Sequence, residues 1–257
     1  MSIKSPDVRR WTGISAFAVA VFLAIEAITK ITTGMRPELD DSEALIAHTR
    51  DTIPQTLIVI LADTFLMAFL IVFLSCFRQL VTKARPDLQW IADITFGAGL
   101  VFIAVTLVGD SMEGGVALDL MGLEPDPSVI RALMVGHSIM FGSTGAVLLA
   151  LVSATAAYLT FASGVVPRWT GSLAVATALS NVAWAVVGFN GTSAQSFFAA
   201  GGIGNALLAI FPWLVWVVCV GVTTVRGTRS SHTLPVDADE VRHTSRLIPE
   251  RVDRHHN

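Results

Sequence analysis

The stretch Gln55 to Phe77, QTLIVILADTFLMAFLIVFLSCF, is apolar over almost its whole length and carries one carboxylate, Asp63. A bilayer's hydrocarbon core of about 30 Å takes roughly 20 helical residues to cross, and this stretch is long enough. Inside lipid every backbone N–H and C=O must be bonded within its own segment, so the stretch reads as a transmembrane helix. The short alternating strands of an outer-membrane barrel do not fit it.

Five further blocks have the same character: Trp11 to Ile31, Trp90 to Gly109, Ala132 to Leu159, Trp169 to Phe189 and Gly201 to Val225. Together they predict an all-α membrane bundle of six helices over residues 11–225. A short segment (1–10) precedes it, and a polar tail (226–257) without apolar periodicity is expected to be disordered. Composition agrees: 53% of residues are hydrophobic, 14% are charged and mean hydropathy is +0.65. Such values exclude an ordinary soluble domain. The first block follows Lys4, Arg9 and Arg10 as a secretory signal would. Its length, and its ending in Glu26-Ala-Ile-Thr-Lys30 without a small-x-small site, favour a retained helix.

Basic residues resist translocation and fix orientation. With the N-terminus inside, the cytoplasmic segments hold thirteen of the seventeen Lys and Arg residues, leaving Lys30, Arg36, Arg50 and Arg131 outside. Both termini are therefore expected in the cytoplasm, and Trp11, Trp90 and Trp169 sit where interfacial indoles belong. Cys76 and Cys219 lie toward the reducing side and are read as small hydrophobes rather than a disulfide. In the first outer loop, Asp41 or Ser42 is placed to cap a short helix that could lie over the bundle as a lid. In the second, Gly114 and Gly115 read as a helix end, and Asp126-Pro127 as the start of the next helix. His255 and His256 read as solvated terminal residues.

Arg10-Trp-Thr-Gly13 is echoed by Arg168-Trp-Thr-Gly171. A parallel duplication fits the topology, but an interface that favours Arg and Trp at both positions explains the echo more simply.

Counting depth along each helix at about 1.5 Å per residue brings the intramembrane polar groups to one level. Glu26 and Lys30 close the first helix, Asp63 is two turns into the second, and Asp110 and Glu113 end the third. His137 is early in the fourth, Asn181 late in the fifth and Asn205 early in the sixth. The inner half has only Asp93, expected to reach toward the interface. On helix three, Thr95, Gly99, Phe102, Thr106, Asp110 and Glu113 form one stripe. Thr177, Asn181, Trp184 and Gly188 do the same on helix five, and Asn205, Ala209, Pro212 and Trp216 on helix six, where Pro212 predicts a kink. Ser138, Gly142 and Gly145 read as a close-packing surface.

An unpaired charge at this depth costs roughly 2.5–3.5 kcal/mol on the mildest scale. Glu26 can pair with Lys30 at i, i+4. Asp63 must find another helix, either His137 or, if protonated, Asn181. Asp63 and His137 are thus candidate catalytic proton donor and acceptor, and Glu26, Asp63, Asp110, Glu113, His137, Asn181 and Asn205 candidate ligand-binding residues. The structural alternative for these residues, above all the two asparagines, is interhelical hydrogen bonding worth about 0.6–2 kcal/mol per contact. No metal-ligand spacing, phosphate-binding loop or nucleophile elbow occurs, so neither a metal nor a cofactor is expected.

The two Arg-Trp-Thr-Gly helix starts, Ala62-Asp63 in an apolar second helix and His137 early in the fourth resemble a bacterial family of six-helix integral membrane proteins. That family is known only as a domain of unknown function. The resemblance spans about Arg9 to Arg226 and implies the six-helix topology and a bacterial inner, or plasma, membrane. It carries no catalytic residues over.

Three function classes fit. The first is binding or transport of a small or amphipathic molecule at an outer-half cavity, with a homodimer expected if it transports. The second is an acid–base enzyme acting on a lipid or isoprenoid, and the third a non-catalytic assembly or immunity-type protein. Membrane lipids and a small-molecule or lipid ligand are the expected partners; nucleic acid is not.

Overall fold

A computed structural model describes residues 7–122, 126–186, 190–191, 193, 196–199, 202 and 204–230, with side chains to 226. The described residues are helical apart from connections, and the order is α1 (Val8–Thr33), α2 (Ser42–Asp51), α3 (Ile53–Ala84), α4 (Gln89–Gly122), α5 (Pro127–Ile139), α6 (Gly145–Ser163), α7 (Arg168–Trp184) and α8 (Phe211–Ser230). Two π-helical segments, Met140–Thr144 and Asn205–Ile210, link α5 to α6 and lead into α8. Five spans are long and apolar enough to cross a membrane: Val8–Thr33, Ile53–Ala84, Pro86–Gly122, Pro127–Ser163 and Asn205–Arg226. The chain is thus a multi-pass integral membrane protein. α7, at 17 residues, is shorter.

The long helices alternate in direction and pack as a ring in the order α1, α3, α4, α6, α7, α8, which α8 closes against α1. We call the end carrying Val8, the α3–α4 and α6–α7 turns and Ser230 proximal, and the opposite end distal. Short connections enforce the alternation. Arg85 caps α3 and reaches across to the Ala162 carbonyl at 3.0 Å, and Gly164 ends α6 in the left-handed conformation at φ 66°. Beside Arg85, the Asp87 carboxyl accepts from its Nε and Nη2 at 2.9 and 2.7 Å.

The helices exceed their sequence-predicted bounds. Gly114 and Gly115 do not end the third crossing, because α4 continues to Gly122. Gly114 is buried, and a Cβ there would lie 2.9 Å from Ile60, so it serves close approach to α3. Beyond it Val116, Ala117 and Leu120 keep the helical period, and Val116 and Leu120 pack with Leu39, Leu45, Ile130 and Met134. That distal apolar cluster seats α2 over α4 and α5. The expected short helix in the first loop therefore forms, capped by Asp41 accepting from the Ala44 N–H at 3.0 Å, and extends to Asp51. Asp126 caps α5 as expected, accepting from the Ser128 N–H at 2.8 Å.

α7 stops at Trp184 instead of continuing to Phe189, and residues 187–189 lie outside the described residues. Gly201 lies outside them too, and the last crossing is described from Gly204. At the other end α8 runs to Ser230, past the expected limit at Val225. The rest of the expected tail, with His255 and His256, lies outside the described residues.

Aromatic packing fills the proximal half. Trp216 of α8, fully buried, meets Phe73 and Phe77 of α3 edge-on at 5.9 and 6.0 Å, and Trp213 lies 6.2 Å from Phe102 of α4. Asp93 does not stand alone at the interface, since Arg78 Nε donates to it at 2.5 Å. Cys76 and Cys219 are free thiols.

The Arg-Trp-Thr-Gly echo has a local explanation. Trp11 and Trp169 are about half exposed, while Thr12 and Thr170 are fully buried and donate to the carbonyls of Val8 and Pro167, each at 2.8 Å. A Cβ at Gly13 would strike Val225 of α8, and one at Gly171 would strike Phe161 of α6. Each motif starts a helix at the proximal rim and lets a neighbouring helix come close.

Candidate functional site

Glu26 sits two turns below the distal end of α1, 6% exposed, and accepts from Lys30 Nζ at 2.5 Å, the expected i, i+4 pair. Asp63 of α3, 3% exposed, brings its carboxyl within hydrogen-bond reach of Glu26. The two carboxyls act on each other across the α1–α3 contact. Below the pair, the Phe22 ring of α1 stacks on Phe65 and Phe69 of α3 at 5.3 and 5.8 Å.

α4 contributes Asp110 and Glu113. Asp110 is 3% exposed, and its Oδ2 is buried without a hydrogen-bond partner. It sits among like and unlike charges: Lys30 attracts it, and Glu113 and Glu26 repel it. Because α4 runs three turns beyond Asp110, the group lies within the helix, not at the distal end where it was expected.

α5 supplies His137, whose Nδ1 lies 3.0 Å from the Gly109 carbonyl. A carbonyl only accepts, so Nδ1 carries the proton, and in the neutral ring Nε2 presents a lone pair. Nε2 faces Glu113 Oε2 at 3.8 Å. One turn on, in the π segment, the Phe141 ring lies 4.6 Å from the imidazole and 6.0 Å beneath Lys30 Nζ. A Cβ at residue 109 would meet that ring at 2.8 Å, so only glycine lets it lie flat on α4.

From above, Arg36 of the α1–α2 connection reaches in, with Nη2 3.5 Å from Ser138 Oγ and Nη1 3.7 Å from Met134 Sδ. Burial lowers the guanidinium from its ordinary value, while the charges of Glu113 and Glu38 oppose that shift. Glu38, two residues on, accepts from Ser193 Oγ at 2.6 Å and so ties this loop to the α7–α8 connection.

Four carboxyls, two cations and one imidazole therefore meet between α1, α3, α4 and α5. Four carboxyls thus stand against two cations, Lys30 and Arg36, and Asp110 is the carboxyl whose Oδ2 is buried without a hydrogen-bond partner.

Of the seven sequence-predicted residues, Glu26, Asp63, Asp110, Glu113 and His137 are brought together. Asp63 does not take His137 or Asn181 as partner, since Glu26 is nearer and the imidazole is held by Gly109 and Glu113. Asn205 begins the π segment ahead of α8 with its Oδ1 buried and without a hydrogen-bond partner, and Asn181 belongs to another seam. Asn181 Nδ2 donates to Thr177 and Ala209 carbonyls at 3.0 and 3.2 Å, binding α7 to the π segment ahead of α8. Next to it Ser180 donates to the carbonyl of Leu208, the group that Pro212, lacking an N–H, leaves free. The distortion expected of Pro212 is this π turn.

Sequence reading missed Arg36, Ser138 and Phe141 as members of the site. Arg36 lies in a loop, where depth cannot be counted, and Ser138 and Phe141 gave no signal apart from small-residue and apolar patterning. Among the described residues no group of three or more His, Cys, Asp or Glu side chains is placed to hold a metal ion. Two surface grooves lie elsewhere: one on the α4 face beside Met140, the other between α1 and α8 near Arg226. Comparison of the chain with protein-family models, curated proteins and solved structures gave no match.

Proposed function

We propose that this is a bacterial inner-membrane protein with six crossings that binds a small cationic or amphipathic molecule at the distal cluster and exchanges it against a proton. α7 supplies the sixth crossing: its 17 residues reach about 26 Å, most of the hydrocarbon thickness. The basic residues gathered at the proximal rim make that side cytoplasmic, and the six-helix family resembled by the motifs supports the same topology. The cluster then lies below the periplasmic face, under α2 and Arg36.

The observation that carries the reading is the buried, unpartnered Oδ2 of Asp110 in a cluster with more carboxylates than cations. Ionisable groups in a membrane are costly and are kept where they serve ion or substrate pathways. At Asp110 a proton and a ligand cation compete for one place, so binding one releases the other. On this reading the Glu26–Asp63 pair, and the free face of His137 beside Glu113, give a released proton somewhere to go.

The test uses the full chain in lipid nanodiscs in unbuffered solution with a pH-reporting dye. Methylammonium chloride is expected to release protons in a saturable way from the wild type and not from Asp110→Asn. Equal release from both, or none from the wild type, overturns the reading. Mass spectrometry of molecules copurifying with wild type but not with Asp63→Asn would then identify the natural ligand.

One observation favours a second reading, an acid–base enzyme acting on a lipid or isoprenoid. His137 has a fixed tautomer with Nε2 free to accept a proton, and on this reading the Glu26–Asp63 pair holds one to donate. Copurifying lipid that turns over in the wild type and accumulates unchanged in His137→Ala would favour it.

A further inference from the structure

The seam between α1 and α8 carries a groove of about 300 Å³ whose lining ends on a charged side chain, Arg226. Its floor is nearly bare backbone. A Cβ at Gly13 would strike Val225 and one at Gly221 would strike Ala16, so the two helices approach closely there. Phe17, 72% exposed on α1, and Val222, 42% exposed on α8, stand as walls on either side. The far end lies at Ala20 and Val218. Gly13 to Ala20 covers about 10 Å of helix, running from the proximal rim toward the middle of the bilayer.

The proximal mouth is basic. Residues 13, 16, 17 and 20 form one face of α1, and Arg9 and Arg10 precede Gly13 on it by four and three residues. Gly13 is level with Val225, so these two arginines enter at the level of Arg226. No carboxylate answers them. Among the described residues no ion pair involves Arg9, Arg10 or Arg226, and α8 has no Asp or Glu. Asp7, the one acid ahead of Glu26, is engaged in capping α1.

We infer that this seam seats an anionic phospholipid of the proximal leaflet, its phosphate at Arg226 and Arg9 and one acyl chain in the groove. The inference is independent of the distal cluster and its ligand. Charge selects the headgroup. Guanidinium groups bind phosphate through paired, charge-assisted N–H donors, and basic pockets between membrane helices suit such headgroups. A zwitterionic lipid carries its own ammonium beside the phosphate, and that cation would meet the same three arginines. Below the arginines the lining is apolar, which fits a chain and not a free phosphate ion. Lipid tails are as apolar as the groove, so the chain adds little affinity and fixes register. A second copy fits poorly, because a two-fold contact across the seam would bring Arg9, Arg10 and Arg226 of both copies together at one level.

The test is photolabelling of the full chain in phosphatidylcholine nanodiscs that contain a small share of phosphatidylglycerol with a diazirine midway along one acyl chain. Labelled residues are mapped by peptide mass spectrometry. Saturable label is expected between Gly13 and Ala20 and between Val218 and Val225, displaced by unlabelled phosphatidylglycerol but not by inorganic phosphate. Arg226→Gln, at an exposed position, should lower it about tenfold, the loss of one charge-assisted contact. Lys83→Gln, which removes an exposed charge from the proximal end of α3, should leave it unchanged. Unchanged labelling in Arg226→Gln, or equal loss in both variants, makes the attraction a diffuse property of the surface and overturns the site. Displacement by inorganic phosphate assigns the arginines to a free anion, and cross-links joining the seams of two copies in place of label assign the groove to a second copy. Either result overturns the lipid.

Discussion

The two halves of the bundle handle the same bilayer in opposite ways. Proximally, Trp213 and Trp216 interlock with Phe73, Phe77 and Phe102, and the charged residues pair at the rim, Arg78 with Asp93 and Arg85 with Asp87. Distally, Glu26, Asp63, Asp110, Glu113 and His137 occupy the interior and are only partly compensated. A chain selected for stability alone would build both halves like the first. On the proposed reading, packing is given up distally for chemistry, since buried groups that cost stability persist where activity needs them.

The comparison breaks most easily at Trp216. Replacing it with Ala removes a fully buried indole from between Phe73 and Phe77, a change that costs about 3–5 kcal/mol. Unfolding of the reconstituted protein in a denaturing detergent should show that loss. A cost under about 1 kcal/mol would mean that the proximal half is not the stabilising core.

Asp110→Asn should move stability the other way. The amide keeps the shape and removes a carboxyl whose Oδ2 is buried without a hydrogen-bond partner. A gain of about 1–2 kcal/mol in the same assay is expected, alongside lost proton release. Marked destabilisation would instead make Asp110 a structural member of the bundle and erase the contrast between halves.

Depth along a helix is linear in sequence, which is why five cluster residues could be found by counting. Glu26, Asp63, Asp110, Glu113 and His137 share a level and also occupy neighbouring helices. Asn181 and Asn205 share the level but not the neighbourhood, because the ring order puts α7 across from α3 and α8 across from α4. Counting along one helix carries no information about which helices adjoin. Gly114-Gly115 misled for a related reason. Glycine pairs end helices in water, but here Gly114 adjoins Ile60 of α3 and the apolar period resumes beyond. Arg36 was illegible because a loop has no depth to count, and its reach to Ser138 follows from how α2 seats on α4 and α5.

Asn181 sharpens the boundary between the halves. It is fully buried at nearly the cluster's depth, yet it bonds only to backbone carbonyls of α7 and the π segment. Asn181→Ala should cost about 0.6–2 kcal/mol, the range for interhelical hydrogen bonds in membranes, and leave proton release unchanged. If proton release changes while stability does not, the polar site extends across the ring and the seam between α7 and α8 belongs to it.

The smallest effect is expected at the distal rim, outside the bilayer, where Asp126 caps α5. The Ser128 hydroxyl and backbone N–H hold its carboxyl below the usual carboxylate range. A group whose folded pKa is depressed stabilises the fold above its unfolded value and stops doing so as pH falls through the folded one. Asp126→Ala should therefore lower stability slightly near neutral pH, and the gap between variant and wild type should close as the solution is acidified into the carboxylate range. The cap is fully exposed to solvent, so its effect should be smaller than that of Asn181→Ala. A gap that persists at low pH would show that Asp126 acts through the backbone geometry at the start of α5 and not through its charge. His137 would then depend on Pro127 and the α2 contacts, more than on the cap, for its place beside Glu113.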